Sequence, residues 1–288
     1  MDRWERDPDD AARAAGRRSG TSSRAAAGLP AAPGRPVKSL PPEVAAEIRK
    51  AADTATAHHR EVLVGKMEDA VAAYDRHRYQ DAMRLGKQVA DETPAVPAVR
   101  NLVGLAAYRA GRWREAVRQL EAYDQLTDDA DHVPALMDSY RALGRPKKLA
   151  DLWAELRLRS PEPEVLAEAR IVAAGMLADR KDLPGAIDLL VAGGAARALR
   201  NPSYRHLRQW YALADLYERA GDLPKARELF LRVLRAEPDA YDVVDRLEAL
   251  GPDRPRRVRR RPVGKAAAAA AKAAEPAAEP AEPAAGAD

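Results

Sequence analysis

Cysteine is absent from all 288 residues. That excludes disulfides, thiolate zinc sites and cysteine nucleophiles, and it fits a reducing compartment. Long apolar runs are missing too. The longest unbroken run, Ala266 to Ala271, is all alanine and falls far short of the roughly 18 apolar residues of a membrane-spanning helix. The first residues, Met1-Asp2-Arg3-Trp4-Glu5-Arg6-Asp7, lack the basic-then-apolar pattern of a secretory signal. A cytoplasmic protein with no membrane contact is therefore expected. Histidine is scarce, with five in the chain: His58, His59, His77, His132 and His206. Neighbours such as His58 and His59 point about 100° apart on a helix and cannot chelate one metal as an i, i+4 pair does. Surface or turn positions are expected for all five. The chain has no H-E-x-x-H, G-x-S-x-G or G-x-x-x-x-G-K motif. Gly193-Gly194 lacks the third glycine and the preceding strand of a phosphate loop. No catalytic residue, no metal site and no cofactor is expected, and the chain reads as a non-enzyme.

Charge is unevenly spread. Residues 1–39 carry 8 basic and 5 acidic side chains, and residues 252–288 carry the same numbers. With 48 basic and 44 acidic residues in all, residues 40–251 hold 32 and 34. The basic balance thus belongs to the two ends and not to the middle. Residues 1–39 are rich in Ala, Gly, Arg, Ser and Pro without apolar periodicity, a composition that cannot bury enough surface to offset chain entropy. Residues 252–288 run from an arginine cluster through alanines into a Glu-Pro-Ala stretch. Both ends are expected to be disordered tails, flanking a folded segment over residues 40–251.

That segment opens with Ser39-Leu40-Pro41-Pro42-Glu43, a helix start in which proline occupies a first turn that has no use for its missing N–H. Turn residues then recur at His77, Gly111, Gly144, Lys181 and Gly221, spaced 34, 33, 37 and 40 apart. With each unit numbered so that its turn is position 15, position 20 holds Ala82, Ala116, Leu149, Ala186 and Ala226. Position 24 holds Gly86, Leu120, Trp153, Leu190 and Phe230. Five helix–turn–helix units are predicted, starting near Leu63, Pro97, Ala130, Ala167 and Leu207. Asp69 stands where the first unit should have leucine, and Gly86 where it should have a large residue. Gly193-Gly194 break the fourth unit, and Asn201-Pro202 are expected to cap the helix that follows. Tyr241, Val244, Leu247 and Leu250 continue a helical pattern to Gly251, a C-terminal stop.

The fifth unit reads Trp210, Leu213, Ala214, Tyr217, Ala226, Phe230 and Pro238. This spacing resembles the tetratricopeptide repeat (TPR) signature W-x2-L-G-x2-Y…A-x3-F…P, with Ala214 in place of glycine. The resemblance extends over residues 63–240, and the Arg- and Ala-rich composition is similar to that of bacterial TPR proteins. It implies an all-α fold: a right-handed helical-repeat solenoid of about five TPR-like helix pairs, with capping helices and disordered tails. Under it, Trp113, Trp153, Trp210, Tyr140, Tyr217 and Phe230 are packing residues. Trp4, in a polar tail, stands outside that pattern.

The resemblance also implies a concave groove lined by positions 2, 5, 9, 12 and 13 of each first helix, in which a protein or peptide partner is held. The second unit offers Asn101, Tyr108 and Arg109 there. The third offers Asp138 and Arg141, and the fifth Arg208, Tyr211, Asp215 and Arg219. A clamp for a terminal carboxylate is not expected, because Leu105 and Ala135 occupy the places of its lysine and asparagine. The function so implied is that of a non-catalytic adaptor or scaffold. The alternative is a nucleic-acid- or ribosome-associated adaptor using its basic tails. There Arg254, Arg256, Arg257, Arg259, Arg260 and Arg261 would contact phosphates or an acidic partner.

Overall fold

The computed structural model describes residues 40–251. The expectations for residues 1–39 including Trp4, and for residues 252–288 with Arg254, Arg256, Arg257, Arg259, Arg260 and Arg261, lie outside the described residues. Twelve helices and no strand occur among the described residues. A leading helix, α1 (Pro42–Ala51), is followed by five pairs. These are α2 (Ala57–Asp75) with α3 (Tyr79–Glu92), α4 (Pro97–Arg109) with α5 (Trp113–Asp124), and α6 (Val133–Ala142) with α7 (Pro146–Leu158). Then come α8 (Pro163–Asp179) with α9 (Leu183–Ala192), and α10 (Tyr204–Arg219) with α11 (Leu223–Ala236). A short α12 (Val243–Ala249) closes the series. None of these helices is long and apolar enough to cross a membrane.

Proline sets most of the starts. It lies in the first turn of α1, α4, α6, α7, α8, α9 and α11, where its fixed φ is already helical. The turn inside each pair is the same device five times. His77, Gly111, Gly144, Lys181 and Gly221 all adopt a left-handed backbone, with φ between 59° and 80°. The N–H of the next residue then reaches back to a carbonyl of the first helix: Arg78 to Ala73, Arg112 to Ala107, Arg145 to Tyr140, Asp182 to Leu177 and Asp222 to Tyr217. These are Schellman closures, which satisfy carbonyls that a helix end leaves bare. Gly194 closes α9 in the same way, with Ala195 N–H on Leu190 O.

The cap of α10 differs from the expected Asn201-Pro202. The N-cap is Ser203, and its backbone N–H donates to Nδ1 of His206 at 3.0 Å. Pro202 precedes the cap and cannot supply that N–H.

Packing follows the repeat. Position 20 is fully buried in all five units, from Ala82 to Ala226. Gly104 abuts Leu120 of its own unit so closely that an added Cβ would lie 2.4 Å from Leu120 Cδ2. Gly86 is small because Val103 of the next unit fills the space a side chain would take, 2.8 Å from an added Cβ. Asp69 is exposed. Its counterpart Val103 packs on the preceding unit, and Asp69 has only short α1 ahead of it. Neighbouring first helices pack on one another in the order α2, α4, α6, α8, α10, and each second helix packs on the first helix of the next pair. The first helices therefore form one continuous layer. Trp210, Tyr140 and Phe230 are buried, whereas Trp113, Trp153 and Tyr217 are only half-buried.

Candidate partner-binding face

The layer of first helices carries all nine residues expected to line a groove, and polar bonds join all of them but Asn101 to neighbouring elements. Arg109 on α4 interacts with the Tyr74 hydroxyl on α2. Tyr108, also on α4, donates to Asp138 Oδ2 on α6 at 3.0 Å. Asp138 accepts in turn from Arg141 Nε at 2.8 Å, and Arg141 Nη1 crosses to Asp179 Oδ2 on α8 at 3.0 Å. One hydrogen-bonded path thus runs over three successive first helices. A second begins on α10, where Asp215 accepts from Arg246 of α12 at 2.8 Å and lies 3.8 Å from Arg219. Arg246 also donates to Glu218 at 2.6 Å, and its guanidinium sits 5.1 Å from the Phe230 ring centre. Arg219 reaches the carbonyl of Ala178 on α8 at 3.4 Å. Near the starts of α8 and α10, Arg208 pairs with Glu168 and Arg205 with Glu164. Tyr211 donates to Asp242.

Burial divides the nine residues. Asp138 and Asp215 are each only 2% exposed, and Arg141, Arg208 and Tyr211 are buried with them. Asn101, Tyr108, Arg109 and Arg219 are half-buried and reach the surface. Asn101 stands apart from both paths, its Oδ1 enclosed without a hydrogen-bond partner.

The electrostatics follow from this enclosure. Burial, and after it the charge of Asp138, pushes the Tyr108 hydroxyl far above the ordinary tyrosine range. Burial opposes the charge of Arg141, but Asp138 and Asp179 prevail and raise its pKa. Burial outweighs Arg208 at Glu168, whose carboxyl is raised. Tyr108 and Arg141 therefore keep one protonation state near neutral pH, suited to holding helices in register more than to moving protons.

Sequence reasoning missed the partners: Glu168, Asp179, Glu218 and Arg246. Three of them sit at groove positions, Glu168 and Asp179 in the fourth unit and Glu218 in the fifth. The positional template could have found them.

One histidine departs from expectation. His132 is buried, not at the surface. Its ring stands edge-on to Tyr123, with Nε2 3.2 Å from Asp124 Oδ1 but off the direction a hydrogen bond requires. It is the N-cap residue of α6, and its side chain makes no capping hydrogen bond. Among the described residues no group of three His, Asp or Glu side chains is placed to hold a metal ion.

A family model described as a tetratricopeptide repeat matches residues 207–256. No curated protein matches the chain. The matched segment takes in α10 from Leu207 onward, α11 and α12, and within it lie the buried Trp210, Leu213, Ala214, Ala226 and Phe230 of the repeat signature. This match, with the same closed turn recurring in all five helix pairs and a small buried residue at position 20 in four of them, supports a tetratricopeptide repeat protein.

Proposed function

We propose that residues 40–251 act as a non-catalytic, cytoplasmic adaptor that holds a protein or peptide partner on the layer of first helices. The observation that carries this reading is the match to the tetratricopeptide repeat on an all-helical stack, since such repeats serve protein interaction and present long surfaces. Recognition falls to the half-buried residues Asn101, Tyr108, Arg109 and Arg219. The buried Asp138, Arg141, Arg208, Tyr211 and Asp215 belong to the same face and act through them, fixing the spacing and tilt of the helices. A partner then meets a pre-ordered surface and little ordering entropy opposes binding.

The test is an affinity capture with and without nuclease, comparing the full chain, residues 40–251, and the full chain carrying Asn101→Ala and Arg109→Ala. Partners retained by residues 40–251 after nuclease, and lost with the double variant, support the reading. Partners that disappear on nuclease treatment would instead favour recruitment by nucleic acid.

A further inference from the structure

Position 24 of the repeat is fully buried where it holds Leu120, Leu190 or Phe230, but in the third unit it holds Trp153, which is half-buried. The indole meets two guanidinium groups. Arg157, one turn further along α7, lies 5.4 Å from the ring centre, and Arg170 of α8 lies 5.9 Å from it. Among the described residues neither arginine meets a carboxylate. Elsewhere Arg141, Arg208 and Arg246 are each matched to an acid.

The local backbone is shaped around this pair. Gly193, which ends α9, has an ordinary φ of −77°, so its backbone does not call for glycine. A Cβ there would lie 2.4 Å from Arg170 Cδ and 2.6 Å from its Nε and Nη1. The missing side chain is what lets Arg170 lie across the end of α9. Burial, and after it the charge of Arg157, holds Arg170 below the usual arginine range. Two cations on one ring, one of them half-buried, repel each other, and no carboxylate among the described residues neutralises either. The cation–π attraction of an exposed ring, about 0.5–1 kcal/mol, offsets only part of that.

We propose that Arg157 and Arg170, floored by Trp153 and cradled at Gly193, form a binding site for a phosphomonoester dianion. A dianion neutralises both guanidiniums, where a carboxylate would leave one uncompensated, and guanidinium geometry suits bidentate contact with phosphate oxygens. Guanidinium groups, not open space, lie over the indole, so the ring is not offered as a stacking platform for nucleic-acid bases. The site lies at the seam of α7, α8 and α9 and is independent of the adaptor reading.

The test is calorimetric titration of the full chain, at fixed ionic strength, with inorganic phosphate, phosphoserine, dimethyl phosphate, acetate and a single-stranded oligonucleotide. Saturable binding of inorganic phosphate with weak phosphoserine binding identifies free phosphate as the ligand. Equal or tighter phosphoserine binding identifies a phosphorylated side chain. Either supports the site, provided that dimethyl phosphate and acetate bind more weakly. Arg157→Ala and Arg170→Ala should each weaken phosphate binding about tenfold, the loss of a charge-assisted contact. Gly193→Ala, which displaces Arg170 while leaving both charges in place, should weaken it as well with an unchanged helical circular dichroism spectrum. Phosphate binding that survives both arginine variants overturns the proposal. So does an oligonucleotide that binds through these arginines while phosphate and phosphoserine do not.

Discussion

Gly104 is glycine for want of space. An added Cβ would lie 2.4 Å from Leu120 Cδ2, 2.7 Å from Cγ and 3.3 Å from the Leu120 backbone nitrogen. Alanine gains about 1 kcal/mol of helix propensity over glycine, but overpacking a closed seam costs about 1–3 kcal/mol. Gly104→Ala should therefore lower the urea midpoint, and a midpoint at or above wild type would mean that Leu120 swings aside freely. His132 poses the opposite problem, a titratable ring with too little room for its charge. Burial outweighs the nearby Asp124 and Asp129, with Arg159 adding to the effect of burial, and its pKa is lowered. The unfolded chain then takes up a proton that the folded one resists. Stability is complete above the unfolded value near 6.5 and falls as pH drops through it toward the lower folded value. Denaturant midpoints measured from pH 7.5 down to 5.5 should decline, and His132→Gln should flatten that decline. Neither effect was legible in the chain. A glycine at position 86 or 104 reads as a gap until the neighbouring Val103 or Leu120 is seen filling it, and a histidine in a polar stretch reads as surface.

Whole helices were easier to read, because they rest on local signals. The five turn residues were found by spacing alone, and each is the left-handed residue of a Schellman closure. At Gly111, Gly144 and Gly221 the conformation is free of Cβ strain, whereas Lys181 holds φ 70° with a side chain. Relief of strain on the order of 1 kcal/mol should make Lys181→Gly more stable by thermal unfolding, and an unchanged or lower melting temperature would refute this. The polar residues of the first helices were also visible, because they recur at groove positions. Their burial was not, since it depends on which carboxylate the adjacent helix brings opposite. Helix α12 shows this best. It is only seven residues long, and what ties it down is Arg246, gripping Asp215 and Glu218 over the Phe230 ring. Replacing Arg246 with methionine keeps the apolar stem but takes the nearer charge away from Asp215, 2% exposed, and leaves it Arg219 at 3.8 Å. Breaking a buried pair from one side costs about 3–5 kcal/mol, so Arg246→Met should lose most of that in a urea titration. A loss below about 1 kcal/mol, the range of exposed pairs, would place this contact with surface salt bridges.

At the scale of the folded segment, stability is distributed along the chain. The buried apolar residues fall into three large successive clusters, one from α1 to α4, one from α5 to α8 and one from α8 to α12, with a small fourth of Ala73, Ala82 and Ala106. The contacts between helices fall chiefly within pairs and between neighbouring pairs, so the energy is close to a sum of unit terms and nearest-neighbour seams. A lesion should then stay near its origin. Gly104→Ala strains the seam between α4 and α5, and hydrogen exchange should show faster exchange there and in the adjoining α3 and α6. The amides of α10 and α11, whose core is Trp210, Leu213 and Phe230, have no contact with that seam and should keep their protection. Arg246→Met should give the mirror image, with exchange raised in α10 to α12 and unchanged in α2 to α4. A uniform rise over all helices in either variant would mean that the segment unfolds as one cooperative body. The polar paths through Asp138, Arg141 and Asp179 would then be coupling units that the apolar clusters alone do not join.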